Sequence, residues 1–346
     1  MKKDNIIITI VFLFFLFFQF YLKKNMMISK NKYYDKMVEA SQNMNKISDE
    51  IKKEKIKRGY VIDPQVDINM TGLIGEEYTE ITTTLGSIEA KRTSVDPNFS
   101  AIFIKLFSEL GLKKGDYVAA NLSSSFPGLN LSLISALDIL ELNGIIITTV
   151  GASSYGGNII DFNYLDMEYL LFSSGSIKNK SIGFSLGGND DIGSEFPDEL
   201  KNEIITKNKN RNLKFFYNEN LDSNINERYE FYKKNGEIKA FVNIGGNILS
   251  TKGESDIDNE KILITDRKIV KNGLIGKFLH DRIPVLYLLG MRGITNYYKI
   301  PYDQRGQSII GMEEIYYENN NILNYILVIS FVLLLIYLKR RKYKNI

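Results

Sequence analysis

Residues 116–150 read DYVAANLSSSFPGLNLSLISALDILELNGIIITTV. A β-like run, Tyr117 to Ser123, passes through three serines and Phe126-Pro127-Gly128 into a helix-like run that Gly144 closes. The following run, Ile145 to Val150, is β-branched and too short for a helix, which predicts a buried strand. The same alternation continues downstream. Helices are expected over 164–172, 196–210, 221–236 and 273–281, and strands over 213–218, 239–246 and 284–289. Strand–helix alternation with glycine-rich connections predicts an α/β fold, a mostly parallel sheet flanked by helices.

Upstream, Asp96-Pro97-Asn98 starts a helix whose stripe is Phe99, Ile102, Phe103, Leu106, Phe107 and Leu110, with Gly111 at its end. Residues 69–97 are turn-rich and polar. Residues 33–58 lack Gly and Pro and are dense in Lys and Glu, so they read as a solvated juxtamembrane helix.

Both ends of the chain are apolar. Residues 6–22 and 322–338 carry no charge, and 17 residues at about 1.5 Å each come to roughly 26 Å, close to a bilayer core of about 30 Å. Two transmembrane helices are therefore expected. A cleaved signal peptide fits the MKKD start of the first run, but no small-x-small cleavage pattern follows it. Lys339, Arg340, Arg341, Lys342 and Lys344 flank the second run and place both termini in the cytoplasm. The expected plan is a cytoplasmic tip and span over 1–24, a juxtamembrane helix over 25–60, an extracytoplasmic α/β domain over 61–320, and a span with a basic tail over 321–346.

The formal net charge is +3. Segments 1–24 and 339–346 hold nine of the 44 basic and one of the 41 acidic residues, leaving 35 against 40, a net of −5, elsewhere. This gives no general case for nucleic acid, which needs a basic face. Cysteine is absent, so disulfides and thiol chemistry are too. The single histidine, His280, falls at the end of a helix, where a cation suits the helix dipole.

Ligands of open α/β sheets bind beyond the carboxyl ends of the strands. Three loops follow expected strands: Ser123-Ser124-Ser125-Phe126-Pro127-Gly128, Gly151 to Asn158 with Ser153 and Ser154, and Gly245-Gly246-Asn247 to Ser250. Their glycines admit close backbone approach, and a following helix N-terminus offers unpaired N–H groups to a carboxylate or phosphate. Ser125 alternatively caps the next helix. A nucleophilic serine is a sharper reading, but G-x-S-x-G is missing, as is a P-loop. A fourth loop, Ser185 to Gly193, sets Asp190 and Asp191 beside Gly187, Gly188 and Asn189. With Asp161, Asp166 and Glu168 these carboxylates are of the type that takes hard cations, although no EF-hand spacing exists and solvated loops explain them equally. No metal site and no cofactor are assigned.

The runs TGLIGEEYTEITTTLGSIEAKRTS, DPNFSAIFIKLFSELGLKKGDYVAANLSSSFPGLN, GASSYGGN, FNYLDME, GGNDDIG and FVNIGGNILSTKG, within residues 70–310, resemble the bacterial poly-γ-glutamate system protein. Gly128 and Gly157 depart from the alanine-like residues expected there, which should loosen their loops. The resemblance implies a membrane-anchored accessory role in synthesis or export of an anionic capsule polymer, with membrane synthase or exporter subunits as partners and the polymer itself as a further candidate. It carries over no catalytic residue. The net acidic body argues against non-specific capture of a polyanion and for a local grip by loop N–H groups and hydroxyls. An envelope hydrolase or transferase acting on γ-glutamyl or cell-wall material is the alternative, with Ser125, Asp190 and Asp191 as candidate catalytic groups.

Overall fold

A computed structural model describes residues 9–18, 27–252, 261–265, 272–306, 308–320 and 322–344. The chain divides into two units, one formed by the two ends (1–32 and 316–346) and one by residues 33–315.

In the terminal unit, residues 9–18 are helical (α1). Strand β1 (Met27–Lys30) pairs antiparallel with β11 (Tyr317–Asn320), setting Met27 opposite Asn320 and Lys30 opposite Tyr317. Helix α12 (Ile322–Lys344) follows. Its Phe331 ring stacks on Phe15 of α1 at 4.0 Å between centroids and lies 6.5 Å from Phe12. Ile10, Leu13, Phe14 and Phe17 on α1 are exposed, as are Ile326, Ile329, Leu333 and Ile336 on α12. Among the described residues, no helix is long and apolar enough to cross a membrane. Much of the first expected span, 6–22, lies outside the described residues.

The larger unit is built on a seven-stranded sheet of β3 (Tyr117–Ser123), β4 (Asn143–Thr149), β6 (Ser181–Ser185), β7 (Lys214–Phe215), β8 (Ile238–Ile244), β9 (Leu263–Ile264) and β10 (Val285–Leu288). The order is β7-β6-β4-β3-β8-β10-β9. All neighbours run parallel except β9, which is antiparallel to β10. The α/β class with a mostly parallel sheet is thus present.

Successive strand residues face opposite ways. Ala119, Ile145, Ile147, Phe241, Val285 and Tyr287 enter one core with Tyr229 and Tyr232 of α8 (Leu221–Asn235) and Phe278 of α10 (Gly273–His280). The Phe241 and Phe278 rings stack there at 4.3 Å. On the other face α5 (Pro127–Ile139) packs on β3 and β4, and α2 (Tyr34–Lys57) and α4 (Phe99–Glu109) pack on α5 and on each other. A third cluster near the β6 edge gathers Phe184, Leu186, Phe196, Ile204 and Leu213 around α7 (Asp198–Asn210).

Several expectations need correction. Helix α2 is not a solvated element. It buries Met37, Ala40, Met44, Ile47 and Ile51, a stripe of three- and four-residue steps, within the larger unit. Gly144 does not close α5 but lies within β4, and Leu140 is the C-cap. Strand β6 was not expected, because its sequence SIGFS lacks a β-branched run. Gly128 and Gly157 do not loosen their loops. A methyl group on Gly128 would lie 2.4 Å from the Ser94 carbonyl oxygen, and one on Gly157 would lie 2.9 Å from Tyr164 Cβ. Each marks a tight approach of two segments.

Candidate functional site

The winding of the sheet reverses at β3, which has β4 on one side and β8 on the other. The crevice beyond the carboxyl ends of β3 and β8 is the place such folds reserve for ligands. The loop after β3 holds the three serines, and the loop after β8 begins at Gly245, whose Cβ position lies 2.7 Å from Ser123 Cβ.

A small parallel pair brings in a third segment. Strand β2 (Thr82–Thr84) pairs with β5 (Ala152–Ser153), Thr82 opposite Ala152 and Thr84 opposite Ser153. Helix α3 (Ile88–Ser94) follows, capped by Ser87 Oγ, which accepts the Ala90 N–H at 3.3 Å. Its Lys91 turns inward, only 2% exposed. Lys91 Nζ donates to Ser153 Oγ at 2.7 Å and to the Ser125 carbonyl, and lies 3.8 Å from the centre of the Phe126 ring. Among the described residues it has no ion-pair partner. Burial alone lowers its ammonium from 10.5 to about 7.

The serines are interlocked. Ser123 Oγ donates to Ser125 Oγ at 2.9 Å and accepts the Ser125 N–H at 3.1 Å, while Ser125 Oγ accepts the Ser153 N–H at 2.9 Å. Ser125 is half-buried; Ser123, Ser153 and Ser154 are buried. Ser124 is wholly internal and donates to the Thr149 carbonyl at 2.6 Å. The Ser154 hydroxyl has no hydrogen-bond partner among the described residues.

Beneath this surface runs a buried polar spine. Asn121 of β3 and Asn243 of β8 are register partners, and Asn121 Nδ2 donates to Asn243 Oδ1 at 3.2 Å and to Ser250 Oγ at 2.9 Å. Arg228 of α8 donates to Asn121 Oδ1 at 2.7 Å and forms an ion pair with Asp191, both side chains fully buried. Ser185 Oγ donates to Asp191 at 2.8 Å, and Asn247 Nδ2 at 3.4 Å. Burial raises the Asp191 carboxyl, opposed first by the Arg228 guanidinium. The spine therefore ties the loop after β6 to the loop after β8.

Four sequence-derived readings change. The amides of the two loops that meet at Ser125 and Ser153 are not open to an anion. The N–H groups of Ser124, Ser125, Ser153, Ser154, Tyr155, Gly156 and Gly157 already have acceptors inside the protein. Ser125 does not cap α5, whose N-cap is Phe126 with Pro127 at the first turn.

The pairing of Ser125 with Asp190 or Asp191 also fails. Asp190 is exposed and Asp191 is committed to Arg228, while the ionisable group beside Ser125 is Lys91. The five carboxylates do not gather: Asp166 pairs with Lys207 and Arg211, Glu168 accepts from Ser181, and no metal-binding cluster occurs among the described residues. Gly188 and Asn189 belong to a turn against Glu195, whereas Gly187 approaches Gly151. Gly246 borders Leu289. His280, with its side chain 91% exposed, sits on the surface beside Asp281.

Lys91 is the functional candidate that sequence reasoning missed. In SIEAKRTS it stands beside Glu89 and Arg92 and reads as part of a solvated face; its burial follows from the β2–β5 pairing, 62 residues from Ser153. A solvent-open cleft lies elsewhere, lined by Asn69, Thr71, Arg92, Asp96, Gln304 and Ser308. It offers space, but its chief cation, Arg92, is occupied by the Val66 and Gln65 carbonyls and by Asp303. Chemistry favours the serine–lysine centre.

The chain matches no family model, no curated protein and no solved structure.

Proposed function

We propose that this chain is a membrane-anchored accessory protein of poly-γ-glutamate synthesis or export. Both termini lie in the cytoplasm, the main domain acts outside, and membrane subunits of the synthase or exporter are its partners. The carrying observation is the terminal unit, where two apolar helices touch through Phe15 and Phe331 and leave apolar side chains facing outward. Such a surface is at home in hydrocarbon. The runs that resemble the poly-γ-glutamate system protein supply the polymer context. Tagged full-length chain, extracted from membranes, should bring down synthase subunits, and its deletion should strip polymer from the cell surface. Normal surface polymer in the deletion strain refutes the reading.

The second reading, an envelope hydrolase or transferase acting on γ-glutamyl or cell-wall material, is favoured by the contact between Lys91 and Ser153. With the amides of the loops after β3 and β4 occupied, hydroxyls and a buried amine are the reactive groups beside Lys91. Incubating purified chain with polymer and sizing the product tests it; unchanged polymer argues for the accessory role alone.

A further inference from the structure

We propose that Ser153 and Lys91 form a catalytic dyad for acyl transfer, Ser153 Oγ being the nucleophile and Lys91 Nζ its general base. The proposal deepens the second reading and does not depend on which polymer the chain serves.

Three observations converge. The donor–acceptor pair is within hydrogen-bonding reach, 2.7 Å, and both residues are buried, so Lys91 Nζ is held against one hydroxyl. No carboxylate neutralises the lysine among the described residues, and the lowered ammonium leaves a substantial neutral fraction near pH 7, which a base requires. The dyad also sits beside the reversal point of the sheet, since Ser125 joins Ser153 to the β3 loop. A lysine with a purely structural role would be expected to sit near a carboxylate or to reach water with its head group. Lys91 does neither; its head group meets the Ser125 carbonyl, the Phe126 ring and the Ser153 hydroxyl, and of these only the hydroxyl has a proton to give.

The chemistry balances without a cofactor. Ser153 Oγ attacks an ester or amide carbonyl carbon while its proton passes to Lys91 Nζ. The tetrahedral adduct collapses, the carbon–oxygen or carbon–nitrogen bond breaks, and the leaving alcohol or amine takes the proton from Lys91. Water or an acceptor amine then attacks the Ser153 ester, loses a proton to Lys91, and releases the serine as the proton returns to it. The secondary amides of a γ-linked glutamyl chain belong to this substrate class. The turn Thr84 to Ser87 covers the dyad, the Cβ position of Gly86 lying 3.1 Å from Ser153 Oγ and 3.3 Å from Lys91 Cε. A small electrophile is therefore the suitable probe.

Full-length chain in detergent is treated with diisopropyl fluorophosphate, and the adduct is mapped by peptide mass spectrometry. The expected result is one adduct on Ser153, formed at a rate that rises with pH around a midpoint near 7. The rate should fall at least 100-fold in Ser153→Ala and in Lys91→Met, with circular dichroism verifying that each variant is folded. Lys91→Arg keeps a cation but cannot act as a base, so it should be equally unreactive. Absence of any adduct on folded wild-type chain overturns the dyad. So does an adduct on Ser125 or another residue, or a Lys91→Met rate within tenfold of wild type. Because the probe is not a glutamyl compound, labelling with no effect on polymer would leave the dyad standing and remove only the polymer as substrate.

Discussion

Replacing Lys91 by methionine should make the protein more stable at neutral pH, with a sign that reverses in alkali. Burial lowers the Lys91 ammonium from 10.5 to about 7. Between those pH values the unfolded chain holds a proton that the folded chain refuses. Wild-type stability must therefore rise with pH across that window and be lowest below it. At about 1.36 kcal/mol per pH unit, the full effect is on the order of 5 kcal/mol. Methionine removes this cost but also removes two hydrogen bonds, to Ser153 Oγ and the Ser125 carbonyl, together worth about 2 kcal/mol. The variant should thus exceed wild type by about 2–3 kcal/mol at pH 6 and fall below it near pH 10. Urea unfolding of full-length chain in detergent, followed by circular dichroism at pH 6, 7, 8 and 9, measures the difference. A wild-type-minus-variant difference that stays constant across this range refutes the buried, uncompensated lysine.

Other perturbations test other parts of the same body. Arg228→Met strands the Asp191 carboxylate and should cost about 3–5 kcal/mol, with Asp191→Asn in the same chain recovering part of it; thermal melts check both. Glu168 is raised to about 7, chiefly by burial, so the folded state holds a proton that the unfolded state has lost between 4.5 and 7, and stability falls as pH rises across that window. Glu168→Gln should flatten this fall while its side-chain oxygen still accepts from Ser181, and the slope of melting temperature between pH 5 and 7 reads it. Gly128→Ala sets a methyl group against the Ser94 carbonyl and should destabilise by about 1–3 kcal/mol, unless α5 shifts at its first turn. An unchanged melting temperature would show that this approach is looser than 2.4 Å.

The class of fold was readable because periodicity reports burial. The run from Ile145 is apolar on both faces and is a central strand; the stripe from Phe99 is a helix against the core. The convergence of loops was readable in part. Ser123, Ser125, Ser153 and Gly245 meet because parallel strands send their carboxyl ends to one edge. The chemistry of the meeting was not readable. Lys91 and Arg228 look like surface cations in the sequence, and each is buried by contacts that no local pattern encodes: β2 on β5 for the first, and Asn121 of β3 with Asp191 after β6 for the second. Paired Asp190 and Asp191 misled for a related reason. The backbone of Asp191 lies in the left-handed region, φ 64°, and the adjacent side chains part, one into solvent and one into the interior.

The ladder between β1 and β11 has a mechanical consequence. It clasps residues 27–30 to residues 317–320, so everything between them is a loop closed at its neck. While the clasp holds, the unravelled loop has two tethered ends and gains less entropy on opening; for a loop of roughly 290 residues a covalent clasp would contribute on the order of 5 kcal/mol. A single proteolytic nick inside the loop would forfeit that contribution yet leave both fragments attached. Pulling the two terminal helices apart loads the clasp one register pair at a time, so it should open like a zipper at low force.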